Sequence, residues 1–164
     1  MNVIGMANQG DRALPPLAFL KPAASVVGDG EPIVVRGGRV EAEGELAYVV
    51  GRGYALANDV TCRASAGVAA KAGQGWTPLG PVVASVDDVE ITVSVNGVAH
   101  RPGRVSELAR GIDEVLAYVG SFMTLRDGDV VLLGAPGETP AIKPGDVVCV
   151  SAPGLGSVTN EVIA

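Results

Sequence analysis

Aromatic residues, histidine, cysteine and blocks of positive charge are all scarce in this chain, and each scarcity removes a class of explanation. Aromatic side chains make up 4% and charged ones 18%, so the core has to be built from Val, Ala, Leu and Ile. His100 is the only histidine, and a single histidine beside a turn is structural or solvated more often than catalytic. Cys62 and Cys149 lie far apart and follow no metal-type spacing, which reads as two buried free thiols in a reducing compartment. The net charge is −6 with no run of Lys or Arg, an unfavourable surface for nucleic acid or an anionic membrane. An acidic small molecule stays admissible, because a bound cation reverses the potential inside a pocket. The first residues carry no basic start and no long apolar stretch, so neither a signal peptide nor a transmembrane helix is expected, and a cytoplasmic location is. Glycine-rich phosphate loops, nucleophile elbows, zinc spacings, repeats and linkers are missing too.

What is there points to β-structure. Hydrophobic residues make up 48% of the 164, enough for one folded domain spanning 1–164, and 23 Gly with 11 Pro imply many turns between short elements. The first thirty residues read as turn-rich. Ile33 to Val35 reads as a short strand and Val40 to Val50 (VEAEGELAYVV) as a longer one, with Glu41, Glu43, Glu45, Ala47 and Val49 on one face. Arg63 to Gly75 reads as a flexible loop. Val89 to Val95 alternates cleanly and ends at Asn96-Gly97, a hairpin turn. Ser106 is placed to cap the one convincing helix, about 106–120, in which Leu108, Ile112, Val115, Leu116 and Val119 recur at helical spacing. Val130–Leu133 and Val147–Val150 each follow a Gly-Asp turn.

Glu43-Gly44-Glu45 is the sharpest chemical feature. Two carboxylates on one strand face repel unless water or a cation stands between them. A hard cation such as Mg²⁺ suits oxygen ligands of this kind. A wet acidic face on an edge strand fits the same residues and is the commoner state of charged side chains. Asp59, after Asn58, is either a third carboxylate for that site or half of an ordinary turn pair. Lys71 alone is a surface lysine; beside a metal site it would stabilise an enolate or bind a carboxylate.

Taken in order, several segments resemble the fumarylacetoacetate hydrolase family. They are FLKPAASVVGDGEPI (Phe19–Ile33), EGELAYVVG (Glu43–Gly51), GYALANDV (Gly53–Val60), KAGQGWTPLGP (Lys71–Pro81), VNG (Val95–Gly97), SFMTLRDGDVVLLGAP (Ser121–Pro136) and IKPGDVVCVSAPGLGSVTNEV (Ile142–Val162). KAGQGWTP and GYALANDV are most similar to the isomerase/decarboxylase branch of homoprotocatechuate (4-hydroxyphenylacetate) degradation. The resemblance implies a mainly β, α+β fold, a mixed β-roll or β-sandwich, and a homodimer. It implies Mg²⁺ or Mn²⁺ on Glu43, Glu45 and Asp59, with Lys71 as catalytic residue. It implies a small carboxylate or oxo acid held by Lys21, Arg63, Lys71, Pro78 and Ala135.

The chain also departs from the family pattern. An Asn-Tyr-x-x-His-x-x-Glu segment, whose His and Glu do acid–base work on a lid, is matched at Asn8, but Arg12 stands at the His and Pro15 at the Glu. A Gly-Thr-Pro motif reads Gly134-Ala135-Pro136 and lacks the hydroxyl. Only Arg52 separates Gly51 from Gly53, where a helix is usual, and the loop after Arg63 is short. These departures suggest a pared-down member with a reduced lid and a more open or reshaped pocket. Decarboxylation or keto–enol isomerisation of a 2-oxo acid is then expected over C–C hydrolysis, which needs a base to activate water. The alternatives are a scaffold recruited for cyclisation or rearrangement in a biosynthetic pathway, and a binding protein without catalysis.

Overall fold

The computed structural model describes residues 1–164. The first strands in chain order are β1 (Val3–Ala7), β2 (Leu17–Lys21), β3 (Val26–Val27), β4 (Ile33–Val34), β5 (Val40–Glu41) and β6 (Gly44–Val49). Then come β7 (Gly53–Asn58), β8 (Thr61–Cys62), β9 (Thr77–Pro78), β10 (Glu90–Val95), β11 (Val98–Ala99) and β12 (Gly103–Arg104). After the single α-helix, α1 (Ile112–Gly120), follow β13 (Val130–Leu132), β14 (Ala141–Ile142), β15 (Val147–Ala152) and β16 (Gly156–Ile163). The fold is mainly β with one helix. No helix is long and apolar enough to cross a membrane.

Two larger sheets organise the chain. One runs β2-β1-β13-β6-β7, antiparallel except where β1 meets β13; the other runs β11-β10-β15-β16-β4, with β12 beside β10. The main core fills the space between them. Leu46 and Leu56 face it from the first sheet, and Ile91, Val93, Val148, Val150 and Val158 from the second. On the other side of β6, Ala47 and Val49 join Val3, Ala55, Ala57, Val130 and Leu132 in a smaller cluster. Glu45 shares that side, because residues two apart on a strand face the same way.

Gly44 explains how closely the sheets approach. A Cβ there would lie 2.7 Å from Val93 and 3.1 Å from both Ile91 and Val150. The residue between the two glutamates is therefore glycine for a packing reason.

Several expectations need correction. The continuous strand expected over Val40–Val50 is broken at Ala42 and Glu43: β5 joins β14 and β8 in a separate three-stranded sheet, while β6 joins the large one. The break is satisfied locally, since the Ala42 N–H donates to the Pro140 carbonyl and the Glu43 N–H to Asn58 Oδ1 at 2.9 Å. The first thirty residues, read as turns, contain the β1–β2 hairpin. Gly5 disguises it: a Cβ on Gly5 would meet the Phe19 ring at 2.2 Å, so the ring occupies the place of its side chain. The helix starts at Ile112, after Gly111, not at Ser106. The Ser106 N–H and hydroxyl both donate to Asp88, which holds Val105–Glu107 in a 3-10 turn. Arg63–Gly75 is not featureless, because a 3-10 turn at Gly67–Ala70 presents Lys71. The Asn96-Gly97 turn forms as expected, with φ of 52° and 78°, the left-handed pair that a tight hairpin requires.

Candidate active site

The break between β5 and β6 and the close of β7 bring three carboxylates together. Glu43 stands at the break, Glu45 on β6 and Asp59 just after β7, where its N–H donates to the Glu43 carbonyl at 2.8 Å. One oxygen from each lies within 4.8 Å of the others, and all three residues are buried, Glu45 and Asp59 at 1% exposure. The wet-edge alternative for Glu43 and Glu45 does not describe residues this enclosed.

The cations around them are equally fixed. Lys71 Nζ donates to Asp59 Oδ2 at 2.5 Å, to Glu43 Oε2 at 3.0 Å and to Thr61 Oγ1 at 2.6 Å. The same ammonium sits 4.5 Å above the Phe19 ring, a cation–π contact. Arg63 donates from Nε to Glu41 Oε2 at 2.8 Å and from Nη2 to Glu43. Lys21, at the end of β2, reaches Asp59 from behind and also donates to the carbonyls of Val60 and Trp76.

Burial and neighbouring charge tune these groups in different directions. Burial pushes the Glu45 carboxyl well above the ordinary carboxylate range, and the charges of Asp59 and Glu43 push the same way. The Gly134 N–H, donating to Glu45 Oε2 at 2.7 Å, opposes that rise. Burial pulls Lys21 below the ordinary lysine range, with Asp59 offsetting part of the effect. For Lys71 burial also acts downward, but the charges of Asp59 and Glu43 outweigh it and hold the ammonium above its ordinary range. A lysine kept protonated in this way donates and carries charge; it is a poor proton acceptor.

An open cavity of about 770 Å³ lies over the carboxylates. Glu43, Glu45, Arg63 and Lys71 line it together with Gln9, Leu17, Phe19 and Ala135, among others. Of the residues expected to bind substrate, Arg63, Lys71 and Ala135 face this space. Lys21 is buried behind Asp59 at 3% exposure, and Pro78 lies in the β3–β9 pair; neither lines the cavity. At the two positions where the resemblance implies a lid histidine and glutamate, the structure holds Arg12 and Pro15 in other contacts. Arg12 pairs with Glu114 on α1 at 2.8 Å, and Pro15 is exposed with its carbonyl bonded to Asn8. Arg110 fastens this loop by donating to the carbonyls of Asn8, Arg12 and Leu14.

Sequence reasoning missed Gln9, Thr61, Thr139 and the role of Asn58. Thr139 lines the cavity and donates to Glu41 Oε2 at 3.1 Å. Only Asn58 had a signal, its place beside Asp59; the others follow from distant segments meeting in space.

Comparison with known proteins decides the ancestry. Residues 4–163 match the profile described as fumarylacetoacetate (FAA) hydrolase C-terminal. The chain belongs to the fumarylacetoacetate hydrolase family. Within that family it is 32% identical to an uncharacterised protein of Pyrococcus abyssi over 180 aligned positions, covering 91% of this chain and 80% of that protein. It is 34% identical over 140 residues to the bifunctional isomerase/decarboxylase of 4-hydroxyphenylacetate degradation from Escherichia coli, covering 72% of this chain but 33% of that protein. A rice mitochondrial oxaloacetate tautomerase is 31% identical over 159 residues, covering 74% of this chain and 69% of that protein. Among solved structures, 5-carboxymethyl-2-hydroxymuconate delta-isomerase from Mycobacterium smegmatis superposes with a TM-score of 0.92 at 33% identity, covering 99% of this chain and 76% of that one. The relatives named here are isomerases, decarboxylases and a tautomerase, but a fumarylacetoacetate hydrolase from Exiguobacterium antarcticum also superposes, with a TM-score of 0.92 at 28% identity over 99% of this chain and 75% of that one.

Proposed function

We propose that this family member is a divalent-cation-dependent enzyme that decarboxylates or tautomerises a small 2-oxo acid. The observation that carries the proposal is the buried trio Glu43, Glu45 and Asp59, converging within 4.8 Å beneath an open cavity with Lys71 on the same oxygens. The donor set fits a hard cation, because it is all oxygen and because Glu45 is strongly disfavoured as an anion without added positive charge. Glu43, Glu45 and Asp59 would hold Mg²⁺ or Mn²⁺, which when bound supplies Lewis-acid stabilisation of negative charge on a chelated oxo-acid oxygen.

The chain's own residues account for the remaining requirements. Lys71, fully protonated, faces the developing negative charge and the substrate carboxylate. Arg63, half-exposed at the cavity wall, is free to turn from Glu41 and Glu43 toward a second carboxylate. Gly134 N–H holds Glu45 in place. Arg12 and Pro15 offer no base to activate water, which favours decarboxylation or tautomerisation over C–C hydrolysis. The names of the Escherichia coli, rice and Mycobacterium smegmatis relatives support the same class of reaction.

The test has two stages. Titration calorimetry with Mg²⁺ and Mn²⁺ should show one site on the wild type and none on Glu45→Ala. With the cation present, oxaloacetate should lose CO₂ or equilibrate its enol and keto forms, followed by ultraviolet absorbance, and Glu45→Ala should abolish either reaction. Cation binding without turnover of any 2-oxo acid would instead favour recruitment for a biosynthetic rearrangement. A homodimer forms part of the same proposal. An apolar groove lined by Ile4, Ala18, Phe19, Leu20, Phe122 and Met123 lies beside edge strand β2, and light scattering would count the subunits.

A further inference from the structure

Gln9 follows β1 and is 4% exposed, yet it lines the cavity. Its carboxamide nitrogen donates to two backbone carbonyls, Leu133 O at 2.7 Å and Arg110 O at 3.2 Å. Those acceptors fix which way the amide faces, because the flipped amide would set its oxygen against two other oxygens. Oε1 is thereby turned away from both carbonyls, and it is buried with no hydrogen-bond partner. Leaving such an atom unpaired costs about 1–3 kcal/mol, and native proteins contain few of them. The other buried unpartnered side-chain atom, Asn58 Nδ2, belongs to a residue that does not line the cavity.

The stem of Gln9 is fixed as firmly as its head. Its Cβ and Cγ lie 2.7 and 2.8 Å from where a Cβ on Gly134 would sit, so the side chain packs directly on that glycine. Gly134 is also the residue whose N–H donates to Glu45. Gln9 and Glu45 are thus both anchored on Gly134. Both donors are already engaged, so the group is an acceptor only toward a ligand. Lys71 and Arg63, which line the same cavity, disfavour an ammonium ligand; a neutral hydroxyl meets no such opposition.

We propose that Gln9 Oε1 accepts a hydrogen bond from a substrate hydroxyl, so that the site selects the hydroxyl-bearing form of an acid, enol or carbinol, over its keto or unsubstituted counterpart. A keto oxygen at the same position would oppose one acceptor with another. Gln9 is then a specificity residue that distinguishes tautomers, which is what an enzyme interconverting or releasing an enol requires. The proposal rests on the reading of the cavity as a cation-dependent carboxylate site.

The test compares ligands that differ by one hydroxyl. Calorimetry in saturating Mg²⁺ would measure D-malate, L-malate and succinate on wild type and on Gln9→Met, which keeps the length but removes the acceptor. The expected result is that Gln9→Met weakens one malate enantiomer about ten-fold, the equivalent of one hydrogen bond, while succinate changes less than about two-fold. Equal weakening of malate and succinate, or no change in either, overturns the role of Gln9 and leaves the carboxylate site standing. Failure of the wild type to bind any of the three acids overturns both. Should Gln9→Met fold poorly, the wild type alone decides, because the chain has two glutamines, Gln9 and the exposed Gln74. With glutamine side-chain carbonyls labelled with ¹³C, the Gln9 signal should move with malate and stay still with succinate; an unmoved signal with bound malate overturns the proposal.

Discussion

Lys71 occupies the oxygens that a cation would take. Its ammonium bonds to both Asp59 and Glu43, so cation and lysine compete for the same acceptors. Lys71→Met should therefore tighten Mg²⁺ binding, by about ten-fold if one charge-assisted hydrogen bond of roughly 1.5 kcal/mol is relieved, while turnover is lost. Calorimetry and a turnover assay on the same preparation check both halves. Unchanged affinity would mean that the lysine leaves these oxygens at no cost. Most of the candidate site was legible at this scale: Glu43, Glu45, Asp59 and Lys71 stand in quotable segments, and the structure brings all four together. Lys21 shows where legibility stops. Its segment is as recognisable as theirs, but burial among Asp59 and two carbonyls is decided by the path of β2 past the Trp76 loop, which no local pattern encodes.

At the level of elements, glycine and the Gly-Asp turns set the geometry. Gly44→Ala would drive a methyl into Val93, Ile91 and Val150. Overpacking of this kind costs about 1–3 kcal/mol, and because Glu43 and Glu45 flank the position, cation affinity should fall with stability. Denaturant melts and calorimetry would show the two losses together. The two Gly-Asp turns share a design that the sequence shows only as a repeated dipeptide. Asp129 accepts the N–H of Arg126 and the side chain of Asn2; Asp146 accepts the N–H of Lys143 and the side chain of Asn96. The Asn2 backbone N–H is the chief influence holding the Asp129 carboxyl below its ordinary range. Burial alone would raise Asp146, but Asn96 and Lys143 outweigh it and hold that carboxyl low as well. A carboxyl depressed in the folded state stabilises fully above its unfolded pKa, near 4, and the contribution disappears as pH falls through the folded value. The double variant Asp129→Asn, Asp146→Asn should thus melt lower at neutral pH and lose less on acidification. Melting temperatures recorded from about pH 6 down to about pH 2 would show the flattened acid limb.

For the molecule as a whole, strands β4, β6, β10, β13 and β15 were readable, while β1, β2, the long β16 and the division of strands between sheets were not. The periodicity of Val89–Val95 and the turn at Asn96-Gly97 marked a hairpin correctly. The run Val40–Val50 concealed a change of sheet, since the break depends on Asn58 and Pro140 replacing ladder partners from elsewhere in the chain. Cation binding should register as global stability. At a cation concentration about a hundred times Kd, binding adds about 2.7 kcal/mol, which for a domain of this size raises Tm by roughly 5–10 °C. Thermal melts with and without Mg²⁺ should show that rise in the wild type and none in Glu45→Ala.

The change of sheet at Glu43 has a mechanical consequence. The carboxylates straddle a seam, with Glu43 at the junction of two sheets, Glu45 inside one of them and Asp59 leading from β7 toward β8 in the other. An ion held by all three would act as a rivet across that seam, and sliding of one sheet past the other would have to tear it out. Occupancy should accordingly be felt far from the cavity, as slower amide exchange at Glu41 and Thr61 on one side and along β6 and β7 on the other.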